Sequence, residues 1–162
     1  MALARVDWLS GDPRWFHILE QPLRIWGHGP VSANWDRGTY LECFRLLLQR
    51  YDPNLRGRDE FGLTILHSVA GAREHVTAAE RSAFATMLLD AGARLDLRDN
   101  LLKSTPLGWA CRWGRAELVK LLLERGADPV EADAEPWATP RAWAEKMGHQ
   151  AVLDVLGRTP RA

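Results

Sequence analysis

The chain has 162 residues, 46% hydrophobic and 26% charged, with 21 Lys and Arg balanced by 21 Asp and Glu for a formal net charge of zero. This length supports one domain, and the balanced charge leaves no electrostatic footprint for nucleic acid or an anionic membrane. No apolar run reaches the ~18 residues of a membrane span, and Arg5 and Asp7 interrupt Met1 to Ser10 as a signal core, so a soluble cytoplasmic protein is expected.

In chain order, Asp12-Pro13 is an acceptable helix start, Trp15, Phe16, Ile18 and Leu19 make an apolar face, and Pro22 predicts an early stop. Gly27 to Gly38 contains three glycines and a proline without helical periodicity and reads as a connecting loop. Thr39 followed by Glu42 has the capping-box spacing, ahead of Cys43, Leu46, Leu47 and Tyr51, and predicts a helix whose buried face carries those residues. A short helix then opens at Thr64-Ile65-Leu66-His67. A second box, Thr77 with Glu80, predicts an early start for the helix holding Phe84, Met87 and Leu88, which stops at Gly92.

The clearest unit follows. Thr105 caps a helix with Pro106 at its first position, Leu107, Ala110 and Cys111 face inward, and Gly114 ends it. Its partner helix starts near Ala116, with Glu117 beside the positive pole, buries Leu118, Leu121 and Leu122, and ends at Gly126. Thr139-Pro140 repeats the opening 139 − 105 = 34 residues later, followed by Gly148-His149, Val152, Val155 and Leu156. Thr64 to Thr105 spans 105 − 64 = 41 residues, so that unit carries an insertion, roughly Arg73 to Arg81, between its helices.

These units resemble ankyrin repeats, whose period is ~33 residues and whose signature is T-P-L-H-x-A followed by L-L-x-x-G-A-D. The resemblance covers about residues 40 to 157 and is most complete from Thr105 to Asp128. It implies an all-α solenoid of stacked helix-turn-helix units with short finger turns, about four repeats with a degenerate first one. Residues 1–38 form a divergent N-terminal cap and loop, 39–58 the second helix and turn of repeat 1, and 59–98 the repeat with the insertion. Residues 99–132 are the third repeat and 133–162 the C-terminal capping repeat and tail. The signature histidine, which in the family braces the opening threonine, is His67 in one repeat and is replaced by Gly108 and Ala142 in the next two.

The resemblance also marks where partner contacts fall, on the fingers and the exposed side of the first helices. Here the fingers carry Glu60, Phe61 and Leu63, then Asn100, Leu101 and Lys103, then Glu135 and Trp137; Arg112 and Trp113 lie on a first helix. Apolar residues at turn tips together with Arg and Trp have the composition that dominates interface energetics. Of the eight tryptophans, Trp109 and Trp143 recur 34 residues apart and read as packing between repeats, whereas Trp113 fits packing and binding equally. Asp99 to Ser104 lacks the usual finger glycine and is one residue longer.

No metalloprotease, C-x-x-C, phosphate-loop or nucleophile-elbow signature is present. Cys43 and Cys111 sit at apolar helix positions and are expected to be reduced core thiols. The expectation is a non-enzymatic module, without cofactor or metal, that binds a protein; its oligomeric state is left open, with a monomer favoured. An alternative is a small stand-alone inhibitor or immunity-type protein for one enzyme. A third reading places a small-molecule or metal site in the N-terminal segment, where Trp15, His17, Trp26, His28 and Trp35 cluster, with His17 and His75 as possible ligands.

Overall fold

The computed structural model describes residues 37–74 and 76–158, together with Phe16, Leu19, Glu20 and Leu23. Seven helices follow one another in the continuous part: α1 (Arg37–Leu48), α2 (Ile65–Gly71), α3 (Ala78–Asp90), α4 (Pro106–Arg112), α5 (Ala116–Glu124), α6 (Pro140–Met147) and α7 (Gln150–Arg158). Helices α2, α4 and α6 stack in one layer and α1, α3, α5 and α7 in the other, each pair packing on the next. The described residues form no strand; a single antiparallel bridge joins Arg56 to Thr64. The all-helical stack expected from the repeats is therefore the architecture found.

Helices of seven or eight residues, as α2, α4 and α6 are, are too short to persist alone in water and depend on burial. Ile65, Leu66, Val69, Leu107, Ala110, Cys111 and Ala144 supply it from the first layer, and Phe44, Phe84, Leu88, Leu118, Leu122, Val152 and Leu156 from the second. Phe44 and Phe84 meet edge to face at 5.0 Å. Phe16, Leu19, Glu20 and Leu23 are helical and buried at the three- and four-residue spacing of one helix face. Helical backbone is thus found at Leu23, beyond Pro22, where a stop was expected.

The threonine caps form as the sequence implies. Thr105 Oγ1 accepts the Gly108 N–H and Thr139 Oγ1 the Ala142 N–H, both at 3.2 Å. Thr77 and Glu80 close a reciprocal capping box, so α3 begins early and runs 13 residues against nine in α5. The helix-ending glycines Gly92, Gly114, Gly126 and Gly148 all have positive φ. The inserted segment is pinned from two sides: Arg81 Nη2 donates to the Ala72 and Arg73 carbonyls, and Arg115 Nη2 to that of Ala72.

Helix α1 departs from expectation. It begins at Arg37, so Thr39 lies within its first turn instead of capping it, and Glu42 pairs with Arg45 one turn later. The buried face is consequently rotated. Phe44 is fully buried, with Leu47 and Tyr51 half-buried, whereas Cys43 and Leu46 are exposed. Cys43 is therefore a surface thiol; Cys111 is the core one, and burial pushes its thiol pKa up. In α5 it is Val119, not Leu121, that is fully buried beside Leu118 and Leu122.

Where the signature histidine is present it acts as a brace. His67 Nδ1 accepts the Thr64 backbone N–H at 3.1 Å and lies 2.8 Å from Thr64 Oγ1, while Nε2 donates to the Ser104 carbonyl at 3.1 Å. At Gly108 space is tight, since a Cβ would lie 3.1 Å from that of Ser104. Thr105 instead donates its hydroxyl proton to the buried Glu131 Oε1 at 2.5 Å, and Arg98 Nη1 donates to Oε2 at 2.8 Å. Burial raises the Glu131 pKa, against the opposing pull of those two donors.

The finger that lacks glycine is built on an aspartate. Asp99 Oδ1 accepts the N–H groups of Leu101 (2.9 Å) and Leu102 (2.6 Å), and Oδ2 accepts those of Ser104 (3.1 Å) and of the Trp109 indole (3.0 Å). Lys103 takes the place of the glycine two residues before the cap, with φ 52° where Gly62 has φ 56°. Asp99→Asn keeps the shape but replaces one acceptor oxygen by a donor facing other donors. We expect it to cost about 2 kcal/mol, read by urea unfolding; a loss under about 0.5 kcal/mol would mean that the fingers hold without this carboxylate.

Burial lowers the pKa of His67 from 6.5 to about 4. The unfolded chain thus binds this proton more tightly than the folded one. The contribution is complete above about pH 6.5 and is lost as pH falls toward 4, by about 3 kcal/mol in all. The stability difference between the wild type and His67→Gln should therefore shrink across that window. A difference independent of pH would show an imidazole that is not held neutral.

Candidate functional site

The face of the first-helix layer is paved by tryptophan. Trp109 and Trp143 are both buried, and each indole N–H is spent inside the stack, Trp109 on Asp99 and Trp143 on Ser104 Oγ at 2.7 Å. They are packing residues, as their 34-residue recurrence suggests. Gly71 makes the arrangement possible: a Cβ there would sit 3.1 Å from the Trp109 ring and 3.6 Å from Trp113 Nε1.

Trp113 differs from these two. It stands at the C-terminal end of α4 with 42% of its surface exposed. The Arg112 guanidinium lies over both the Trp113 and the Trp143 rings, 5.2 Å from each centroid, and Lys146 Nζ lies 5.1 Å from that of Trp143. Such contacts are worth about 0.5–2 kcal/mol each and hold a cation without neutralising it. Trp137 meets Trp143 edge to face at 6.1 Å while remaining 48% exposed. Trp143 is thus a shared floor that joins Arg112, Lys146 and Trp137, with Trp113 beside Arg112.

Of the residues the sequence singled out, Arg112, Trp113 and Trp137 are brought together in this way. Phe61 and Leu63 are half-buried against the core, and the Phe61 carbonyl accepts the Asn100 N–H at 2.8 Å, tying two fingers. Asn100 and Lys103 are exposed, as is Leu101 at 51%. Glu60 and Glu135 are exposed on their fingers. No ring or ion contact links Glu60, Leu63, Leu101, Lys103 or Glu135 to the tryptophan cluster among the described residues. Sequence reasoning missed Lys146 and Met147, the latter 44% exposed. The signal was available, because they stand 34 residues after Arg112 and Trp113.

Other chemistry is sparse. A cavity of about 240 Å³ beside Glu131 is lined by Arg98, Asp128 and Asp133, and an open groove of about 360 Å³ lies between α5 and α7 over Leu123 and Val155. Among the described residues no three His, Cys, Asp or Glu side chains are placed to hold a metal. Trp15, His17, Trp26, His28, Trp35 and His75 lie outside the described residues. No described helix is long and apolar enough to cross a membrane.

Comparison with known proteins agrees with the geometry. A family model for ankyrin repeats (three copies) matches residues 32–133 and 75–157. The mouse ankyrin repeat domain-containing protein 63 is 41% identical over 83 residues, 51% of this chain and 21% of that protein. The zebrafish putative palmitoyltransferase ZDHHC13 is 33% identical over 122 residues (72% of this chain, 17% of that protein), and the rat palmitoyltransferase ZDHHC17 31% over 125 residues (74% and 19%). The chain therefore spans about a fifth of the length of these relatives, and its likeness to the two enzymes is to their ankyrin region. Ankyrin repeats are generally protein-protein interaction modules, and the family is typically non-enzymatic. With its stacked helix pairs, capped threonines and finger turns, the chain belongs to the ankyrin repeat family.

Proposed function

We propose that this chain is a non-enzymatic module that binds a partner protein through its fingers and first helices. The observation that carries the reading is the pairing of exposed and fixed aromatics on one face. Trp113 and Trp137 stay open to solvent while Arg112 and the buried Trp143 beneath them are already held in place. A surface ordered before encounter loses little conformational freedom on binding, and large aromatics with arginine supply most of the energy at interfaces. Leu101, at the tip of the second finger, is the third open apolar anchor. Asn100, Lys103, Glu60 and Glu135 set orientation, and Phe61 and Leu63 support the fingers from below. The module acts as a monomer in the cytoplasm.

The test is an affinity purification with the tagged wild type beside Trp113→Ala and Leu101→Ala, each first shown to keep its helical content. A partner held by the wild type and reduced at least about tenfold by Trp113→Ala is expected, since a hot-spot truncation costs about 2 kcal/mol or more. Thermal unfolding should change little, because Trp113 is half in solvent. A partner indifferent to both substitutions would overturn the reading, and an unfolded Trp113→Ala would assign that ring to packing. A single stoichiometric partner that is an enzyme inhibited by the chain would favour an inhibitor role.

A further inference from the structure

The Trp143 ring carries two cations, and among the described residues no carboxylate forms an ion pair with either. Most arginines of the described structure have a carboxylate or carbonyl acceptor. Arg98 pairs with Glu131 and Asp133, Arg115 with Glu74, Arg125 with Asp90, and Arg141 with Glu145. Among the described residues Arg112 and Lys146 have neither ion pair nor hydrogen bond from their charged ends, and the Arg112 Nε, like those of Arg81 and Arg115, is buried without an acceptor. Both charges converge on one indole, that of Trp143. Arg112 is partly buried and Lys146 exposed, and an incoming anion would find both charges beside the same ring without an ion-pair partner.

We infer that this face recognises an acidic segment of a polypeptide, seating one Asp or Glu carboxylate on the Arg112 guanidinium, with Lys146 adding its charge beside the same Trp143 ring, and an adjoining apolar side chain on Trp113. The inference rests on the binding reading above and names the chemistry of its partner. A planar guanidinium can bind a carboxylate through two N–H groups at once, the geometry that such pairs favour. Nucleic acid fits poorly: two cations on a chain of zero net charge give no track for a phosphate backbone. The neighbouring carboxylate does not fill the role, because Glu145 is turned to Arg141 at 3.6 Å. Trp137 closes the floor on the finger side through its edge contact with Trp143.

A displayed library of random peptides, selected on the immobilised whole chain, tests this directly. Enriched peptides should share an Asp or Glu next to an apolar residue. For one selected peptide, measured by fluorescence anisotropy, replacing that Glu by Gln should weaken binding at least about tenfold, and affinity should fall steeply with salt. Lys146→Gln, at an exposed position, should reproduce part of the loss and should make the peptide's Glu→Gln exchange cost less, the signature of a direct pair. Arg112→Gln should do the same more strongly; because that side chain also packs, the peptide exchange on the unaltered protein remains the deciding measurement.

Peptides that are selected without acidic residues yet lost on Trp113→Ala would overturn the carboxylate inference and leave the binding face intact. The same holds if a phosphoserine at the acidic position binds far more tightly than Glu, which would make phosphate the ligand. Selected peptides indifferent to Trp113→Ala, Arg112→Gln and Lys146→Gln alike would sink the proposed binding face itself, and the inference with it.

Discussion

Ser104 is the point on which the stack turns. This fully buried residue is reached by three successive first helices. His67 of α2 donates to its carbonyl, Trp143 of α6 donates to its hydroxyl, and its own N–H goes to Asp99, which also holds Trp109 of α4. Its single hydroxyl proton has the Leu102 and Ala138 carbonyls within reach at 3.0 and 3.2 Å. None of these helices is long enough to be stable by itself, so the bonds between units supply what the bonds within a unit cannot. The polar groups are buried, and every one of them is answered, which is the condition under which such a network fixes one arrangement instead of destabilising it.

That network decides what the face can do. Indoles whose N–H groups are committed to Asp99 and Ser104 cannot swing out, so Trp109 and Trp143 form a floor and not an adaptable surface. On the proposed binding reading, whatever docks must match a fixed shape, and its specificity would come from what stands on the floor: the ring of Trp113, the ring of Trp137 and the two cations over Trp143. Gly71 belongs to the same construction, because a Cβ there would press on the Trp109 ring at 3.1 Å.

Repetition made most of the architecture legible. Threonine caps, terminal glycines, the early start of α3 and the histidine brace all follow from residues whose roles are local, and each is found where the sequence places it. Helix α1 was misread because Thr39 and Glu42 have the spacing of a cap without its position. The helix already starts at Arg37, and Phe44 takes the core place expected of Cys43. Asp99 was not legible as a turn organiser, since its four partners are spread from Leu101 to Trp109 and converge only when the finger folds back. At the site, Trp113, Arg112 and Trp137 could be read from the repeat frame, whereas Lys146 requires carrying the frame one unit further. The N-terminal aromatic cluster falls on residues outside those described, so its reading stays where the sequence left it.

Lys103 shows what the fold concedes for its surface. A residue with a side chain in left-handed backbone costs roughly 1 kcal/mol or more relative to the glycine that the previous finger uses. Here Asp99 fixes the turn so firmly that the strained conformation is the one adopted. The outcome is a permanently displayed ammonium at a position where this architecture would otherwise have bare backbone. A glycine would make the chain sturdier and leave the finger without that charge, so the position exchanges durability for an exposed cation.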